Sequence, residues 1–145
     1  MRYFMLLFFL TNSYATSIEF IGPCDQKPLL ESNIKFAYEN IGELTLGILE
    51  KFNAQYSGTE QSLTQAFDTP VGLNALEVIN DEEMRSYGWC FKIDGVIPKD
   101  FPSDIVLNEK IKMISWYYGY AYYKKGRWLN WCQEAYKIKP SFLCD

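Results

Sequence analysis

Tyr87-Gly88-Trp89-Cys90-Phe91-Lys92-Ile93-Asp94-Gly95 and Ile111-Lys112-Met113-Ile114-Ser115-Trp116-Tyr117-Tyr118 are the two stretches that decide the fold. Both are rich in β-branched and aromatic residues, which suit a pleated, half-buried surface. The first runs into Asp94-Gly95, a turn pair, because glycine takes positive φ at no steric cost. Further strands are expected at 105–107, 119–123 and 128–136, the last two joined by the charged loop Lys124-Lys125-Gly126-Arg127. Upstream, 17–21 reads as a short strand stopped by Gly22-Pro23, and 33–38 as another with Ile34, Phe36 and Tyr38 on one face. The period then changes. Ile48, Leu49 and Phe52 share a helical face over 45–54, with Thr45 as N-cap, Leu44 stapled onto Leu49 and a turn around Gly42 before it. Tyr56-Ser57-Gly58-Thr59 ends that helix, and 73–79 reads as irregular with a helical turn. One helix among several antiparallel strands is an α+β arrangement.

The 145 residues contain no histidine. Without imidazole there is no Ser/His/Asp or Cys/His nucleophile pair and no histidine metal ligand. Carboxylate pairs, Lys, Tyr and thiolates still allow acid/base or covalent work, and the best constellation is the carboxylate cluster Asp81, Glu82 and Glu83 with Arg85 nearby, as in glycoside cleavage. Adjacent acids on a loop point in different directions, so a solvated acidic turn is the preferred reading and no catalytic residue is assigned. No metal or cofactor is expected. The 17% aromatic share lets a short chain build a substantial core, because each ring buries a large area.

Residues 1–15 combine an early Arg2, the apolar run Phe4 to Leu10 and Ser13-Tyr14-Ala15, the pattern of a secretory signal with a small-x-small cleavage site. An apolar run of this length is far below the roughly 20 residues that a membrane-spanning helix needs. A single domain over 16–145, secreted or periplasmic and without a membrane span, is expected. Cys24, Cys90, Cys132 and Cys144 then read as two disulfides, since exported chains occupy oxidising compartments and no Cys-x-x-Cys spacing suggests a metal. Four cysteines allow three connectivities. The preferred one nests Cys90–Cys132 inside Cys24–Cys144, because Trp89-Cys90 and Trp131-Cys132 look like equivalent positions on two strands.

The stretch Gly88-Trp89-Cys90-Phe91-Lys92-Ile93-Asp94-Gly95-Val96-Ile97-Pro98, followed by Ile111 to Tyr118, resembles the DUF4430 family, the transcobalamin-like C-terminal domain. That family's pattern is a strand ending in an Asn/Asp-Gly turn, a loop with a proline, then a strand with an apolar-x-Trp-x-aromatic signature. The resemblance covers roughly residues 33 to 123. It implies a β-grasp-like mixed sheet packed on one helix in an exported protein, to which this chain adds a C-terminal β extension and disulfides. In the vitamin B12 carriers the equivalent domain helps enclose the corrinoid. Corrinoid binding is not carried over, because turn and core residues specify architecture more than ligand.

Trp89 and Trp116 are expected in the core, and Gly88 at a bulge or close backbone approach. The region 116–131 holds more rings than a core demands, interleaved with Lys124, Lys125 and Arg127. On a strand, Trp116, Tyr118, Tyr120 and Tyr122 share one face, and Tyr117 and Tyr123 join them only through a bulge, which Gly119 makes plausible. The expected contact surface is Tyr118, Tyr120, Tyr122, Arg127 and Trp128, serving a noncatalytic binding or interaction module. A protein partner or a second copy of the chain is the first choice of ligand, an envelope glycan or peptide the second. Nucleic acid is disfavoured, because the chain is acidic, with 14 basic against 18 acidic residues. The basic loop also has a use that involves no ligand, since charges at an edge strand oppose aggregation.

Overall fold

The computed structural model describes residues 16–34 and 37–145. The expected signal peptide, 1–15, lies outside the described residues, as do Lys35 and Phe36 of the expected strand 33–38.

The strands are β1 (Ser17–Ile21), β2 (Pro28–Asn33), β3 (Tyr56–Thr59), β4 (Ser62–Ala66), β5 (Leu76–Asn80), β6 (Glu83–Ile93), β7 (Met113–Lys124) and β8 (Arg127–Glu134), with helix α1 at Ile41–Lys51. The main sheet runs β2-β1-β7-β6-β5, while β3 and β4 form a separate hairpin. β1 and β7 are parallel neighbours at its centre and the other pairs are antiparallel. This is a β-grasp-like mixed sheet on one helix, extended by a C-terminal strand. The stretches 111–118 and 119–123, expected as separate strands, form one twelve-residue strand, and Gly119 sits in unbroken register opposite Gly88. β6 occupies one edge of β7 throughout. The other edge is shared, by β1 along Met113 to Tyr117 and by β8 along Gly119 to Lys124.

The helix begins four residues before the expected Thr45. Asn40 is its N-cap, its side-chain oxygen accepting from the Glu43 N–H at 2.8 Å, and Glu43 accepts from the Glu39 N–H at 2.8 Å. Asn-x-x-Glu is a helix-start signature, and it outcompetes the turn expected around Gly42. Gly42 is needed for proximity, since a Cβ there would lie 2.0 Å from the Glu60 carbonyl oxygen at the β3–β4 turn. Thr45 is instead buried within the helix, donating to the Ile41 carbonyl at 2.7 Å and accepting from the Trp116 indole at 2.8 Å.

Two clusters fill the inner face of the sheet. Ile41, Leu44, Ile48 and Leu49 of α1 cover Ile18, Phe20, Ile114 and Trp116, with Trp89 packed alongside. Trp89 and Trp116 therefore belong to the core, as expected. Farther along β6 and β7, Tyr87 and Tyr118 are covered by the C-terminal tail through Ala135, Ile138 and Leu143. Disulfides join Cys24 to Cys144 and Cys90 to Cys132, the nested pairing. The first ties the tail beside the end of β1. The second spans β7 and links its two flanking strands.

Other local expectations are revised. The better upstream strand is Pro28–Asn33, and Ala37 and Tyr38 lie outside any strand. Residues 105–107 contribute a single bridge, Asn40 to Val106, and 73–79 divides into a 3-10 turn and β5. Residues 56–59, expected to end the helix, instead form β3 and pair with β4 in a hairpin. Its strands are four and five residues long and mostly exposed, so they carry little hydrophobic period.

Candidate functional site

Alternation along β7 decides where each expected contact residue lies. Trp116, Tyr118, Tyr120 and Tyr122 share the inner face, as expected, but that face is covered. Tyr118 is fully buried, stacks on Tyr87 and donates its hydroxyl to the Pro70 carbonyl at 2.8 Å. It cannot be a contact residue. Burial holds its hydroxyl up at about 12. Tyr120 is half-buried against Tyr87 with the Arg85 guanidinium 5.6 Å from its ring. Tyr122 is half-buried and donates to Glu83 at 2.8 Å.

Trp128 lies on the opposite side. Its register partner is Tyr123, whose ring it meets edge-on at 5.3 Å, and both belong to the outer face. Arg127 is exposed at the adjoining turn, in register with Lys124. The five residues expected to form one surface are thus divided between a covered face and an open one. Trp131, left out of that set, joins Trp128 at 5.8 Å between ring centroids and is 64% exposed. Simple alternation puts residues three apart on opposite faces of a strand. Here β8 bulges between its pairings with Tyr122 and Tyr120, with Asn130 and Cys132 at positive φ, and the extra residues bring Trp131 round to Trp128. The bulge expected at Gly119 lies on the neighbouring strand.

Trp128 and Trp131 flank a trough of about 410 Å³ on the outer face. Its floor is built from small residues, Gly88 and Gly119 opposite each other with Ser86 and Ala121 beyond, and Cys132 closes one side. Gly119 has a structural use, since a Cβ there would lie 3.0 Å from the Gln133 carbonyl and 3.4 Å from Cys90 Sγ. Gly88 has none of that kind. It sits in a regular stretch of β6 without positive φ, and a Cβ would meet no atom within 4 Å. The bulge or backbone approach expected there is absent. A glycine inside a strand weakens it, and neither a bulge nor a tight contact requires this one.

Beyond the trough the outer face is polar. Lys92 forms an ion pair with Glu134 and lies 4.8 Å over the Tyr117 ring, and Lys137 reaches Glu134 at 3.0 Å. Burial pushes the Glu134 carboxyl up, but hydrogen bonds from Lys92 and Lys137 outweigh it and hold the pKa at about 2. A carboxylate depressed in the folded state stabilises fully above its unfolded pKa and loses that stability as pH falls towards the folded one. We expect wild type to lose on the order of 2 kcal/mol more than Glu134→Gln between pH 5 and pH 2 in urea unfolding. Parallel acid limbs would show that the ion pair contributes nothing.

The acidic cluster offers no catalytic pair. Asp81 and Glu82 are exposed at the β5–β6 turn, and Arg85 is engaged by Glu77 at 2.9 Å. Glu83 is held down by hydrogen bonds from Lys124 and Tyr122. A glycoside-cleaving acid needs the opposite displacement. Among the described residues no Cys/Asp/Glu cluster could hold a metal ion, and no helix is long and apolar enough to cross a membrane. Comparison with family models, with curated proteins and with solved structures finds no match to this chain.

Proposed function

We propose that the chain is an exported, noncatalytic interaction module of the transcobalamin-like C-terminal domain type, and that it takes a protein partner in the trough of Trp128 and Trp131. Gly88 carries this reading. A mid-strand glycine that neither turn geometry nor crowding requires, flooring a trough with exposed indole walls, matches a surface shaped for something to lie against it. The chemistry of the lining favours protein over glycan. The floor is glycine and alanine with the Ser86 hydroxyl, so it offers apolar contact and few hydrogen-bonding groups to satisfy sugar hydroxyls. The two disulfides suit an oxidising compartment.

The test is capture from the surrounding extracellular or periplasmic fraction by the immobilised protein. The double variant Trp128→Ala/Trp131→Ala is expected to lose the captured protein with its melting temperature nearly unchanged, while Val106→Ala, an exposed substitution elsewhere, retains it. Capture that survives the double substitution, or no capture by wild type, contradicts the proposal.

A further inference from the structure

A second opening lies beside the edge of β6 that faces away from β7, and it shares only Cys132 with the trough lining. β5 pairs with that edge only as far as Ser86, and the edge is next engaged where Ile93 and Val96 exchange backbone hydrogen bonds at 2.9 Å. No described strand pairs with it in between. Arg85 and Ile93 turn their backbone groups outward, and by the alternation of an antiparallel ladder so do Trp89 and Phe91. Each presents one N–H and one C=O to the gap.

The gap is a slot of about 260 Å³ lined by Trp89, Cys90 and Phe91 in succession. Three consecutive residues of a strand, whose side chains alternate, line one opening together where it runs past the strand's backbone edge. The slot is also lined by Ile97, Pro98 and Phe101 of the loop after β6, with Phe101 60% exposed, by the buried Leu63 of the β3–β4 hairpin, and by Trp116 and Cys132. The single charge in the lining is Asp100, which makes no ion pair among the described residues. Glu60, also exposed, lies at the tip of the same hairpin, and the exposed Lys99 precedes Asp100 in the chain.

We propose that this edge binds an extended peptide carrying lysine or arginine, as an added strand collinear with β5. Unpaired donors and acceptors at strand spacing match another polypeptide backbone, and Asp100 supplies the complement to a basic side chain. The window from Gly88 to Lys92 accommodates roughly five residues at about 3.3 Å each. The bound strand continues the sheet past the end of β5 and lays alternate side chains against Phe101 and Leu63.

The probe is Ac-Val-Lys-Val-Lys-Val-NH2, titrated to several millimolar against the disulfide-bonded protein and followed by amide NMR. The Trp89 and Phe91 amides are expected to shift and to exchange more slowly with solvent. A peptide N-methylated at its central valine shifts neither, because a strand partner needs that N–H. Asp100→Asn weakens the lysine peptide at least threefold and leaves Ac-Val-Ser-Val-Ser-Val-NH2 unchanged. Trp131→Ala changes nothing, which separates this site from the trough. Silence of both amides, equal response to the N-methylated peptide, or indifference to Asp100→Asn overturns the proposal. Shifts that grow with protein concentration alone assign the edge to a second copy, and shifts with chitohexaose in place of peptide assign it to a glycan. Either result also overturns it.

Discussion

Removing the Cys24–Cys144 bridge, as Cys24→Ser/Cys144→Ser, is expected to cost roughly 3–5 kcal/mol of stability. The bridge closes a loop of sequence separation 120, against 42 for Cys90–Cys132, so loop entropy alone makes its loss about 1 kcal/mol the larger. Its position adds to this. The tail that it ties down is what covers Tyr87 and Tyr118 through Ile138 and Leu143, with Phe142 edge-on to Tyr87 at 5.4 Å. When the tail loosens, the Tyr118 hydroxyl, held up at about 12 by burial, returns towards the ordinary tyrosine value. Two readouts follow: a lower urea midpoint, and a tyrosine ultraviolet titration in which the Tyr87 and Tyr118 hydroxyls, both raised by burial, ionise at lower pH than in wild type. A loss below about 1 kcal/mol with an unchanged titration would show that the tail packs without its tether.

Gly42→Ala sets two effects of opposite sign against each other. Helix propensity favours alanine by about 1 kcal/mol. The added methyl carbon would lie 2.0 Å from the Glu60 carbonyl oxygen and 2.7 Å from its carbon, backbone atoms that no rotamer change can move away. The β3–β4 hairpin must shift off the helix, taking buried Leu63 and Ala66 from the core. Contact wins, and a net loss of roughly 3 kcal/mol is expected, at the upper end of overpacking costs. Gly88→Ala is the control, because its Cβ enters open space. If Gly42→Ala raises the melting temperature, the hairpin does not sit where the structure places it.

The elements legible in the sequence were those with a strong local signal. β1, β6 and the Lys125-Gly126 hairpin all carried period-two patterns or turn pairs, and the indoles of Trp89 and Trp116 reached the core as their strand positions required. Local chemistry also misled where two readings competed. Asn40-x-x-Glu43 holds a helix start, but Gly42 between them looked like a turn, and only the approach of Glu60 explains the glycine. The surface was harder. Which face of β7 is open depends on the C-terminal tail, whose covering of Tyr118 is a contact between residues far apart in sequence. Trp131 was hidden by its spacing from Trp128, since the bulge that unites them lies in the left-handed residues Asn130 and Cys132, which no pattern marks. A usable clue was present in Gly88 and Gly119, each midway along a strand. The Cys90–Cys132 bridge and the trough both cross β7 at that pair.

If a partner lies in the trough, it lies against Gly88. Gly88→Val puts a β-branched side chain, well suited to a strand, into the floor of the trough. The deciding measurement is the affinity of this variant, by calorimetry, for the protein captured by wild type, with the melting temperature recorded alongside. The expected result is a melting temperature equal to or above that of wild type and binding at least tenfold weaker. Undiminished affinity with valine in place, or a variant that unfolds, would contradict it.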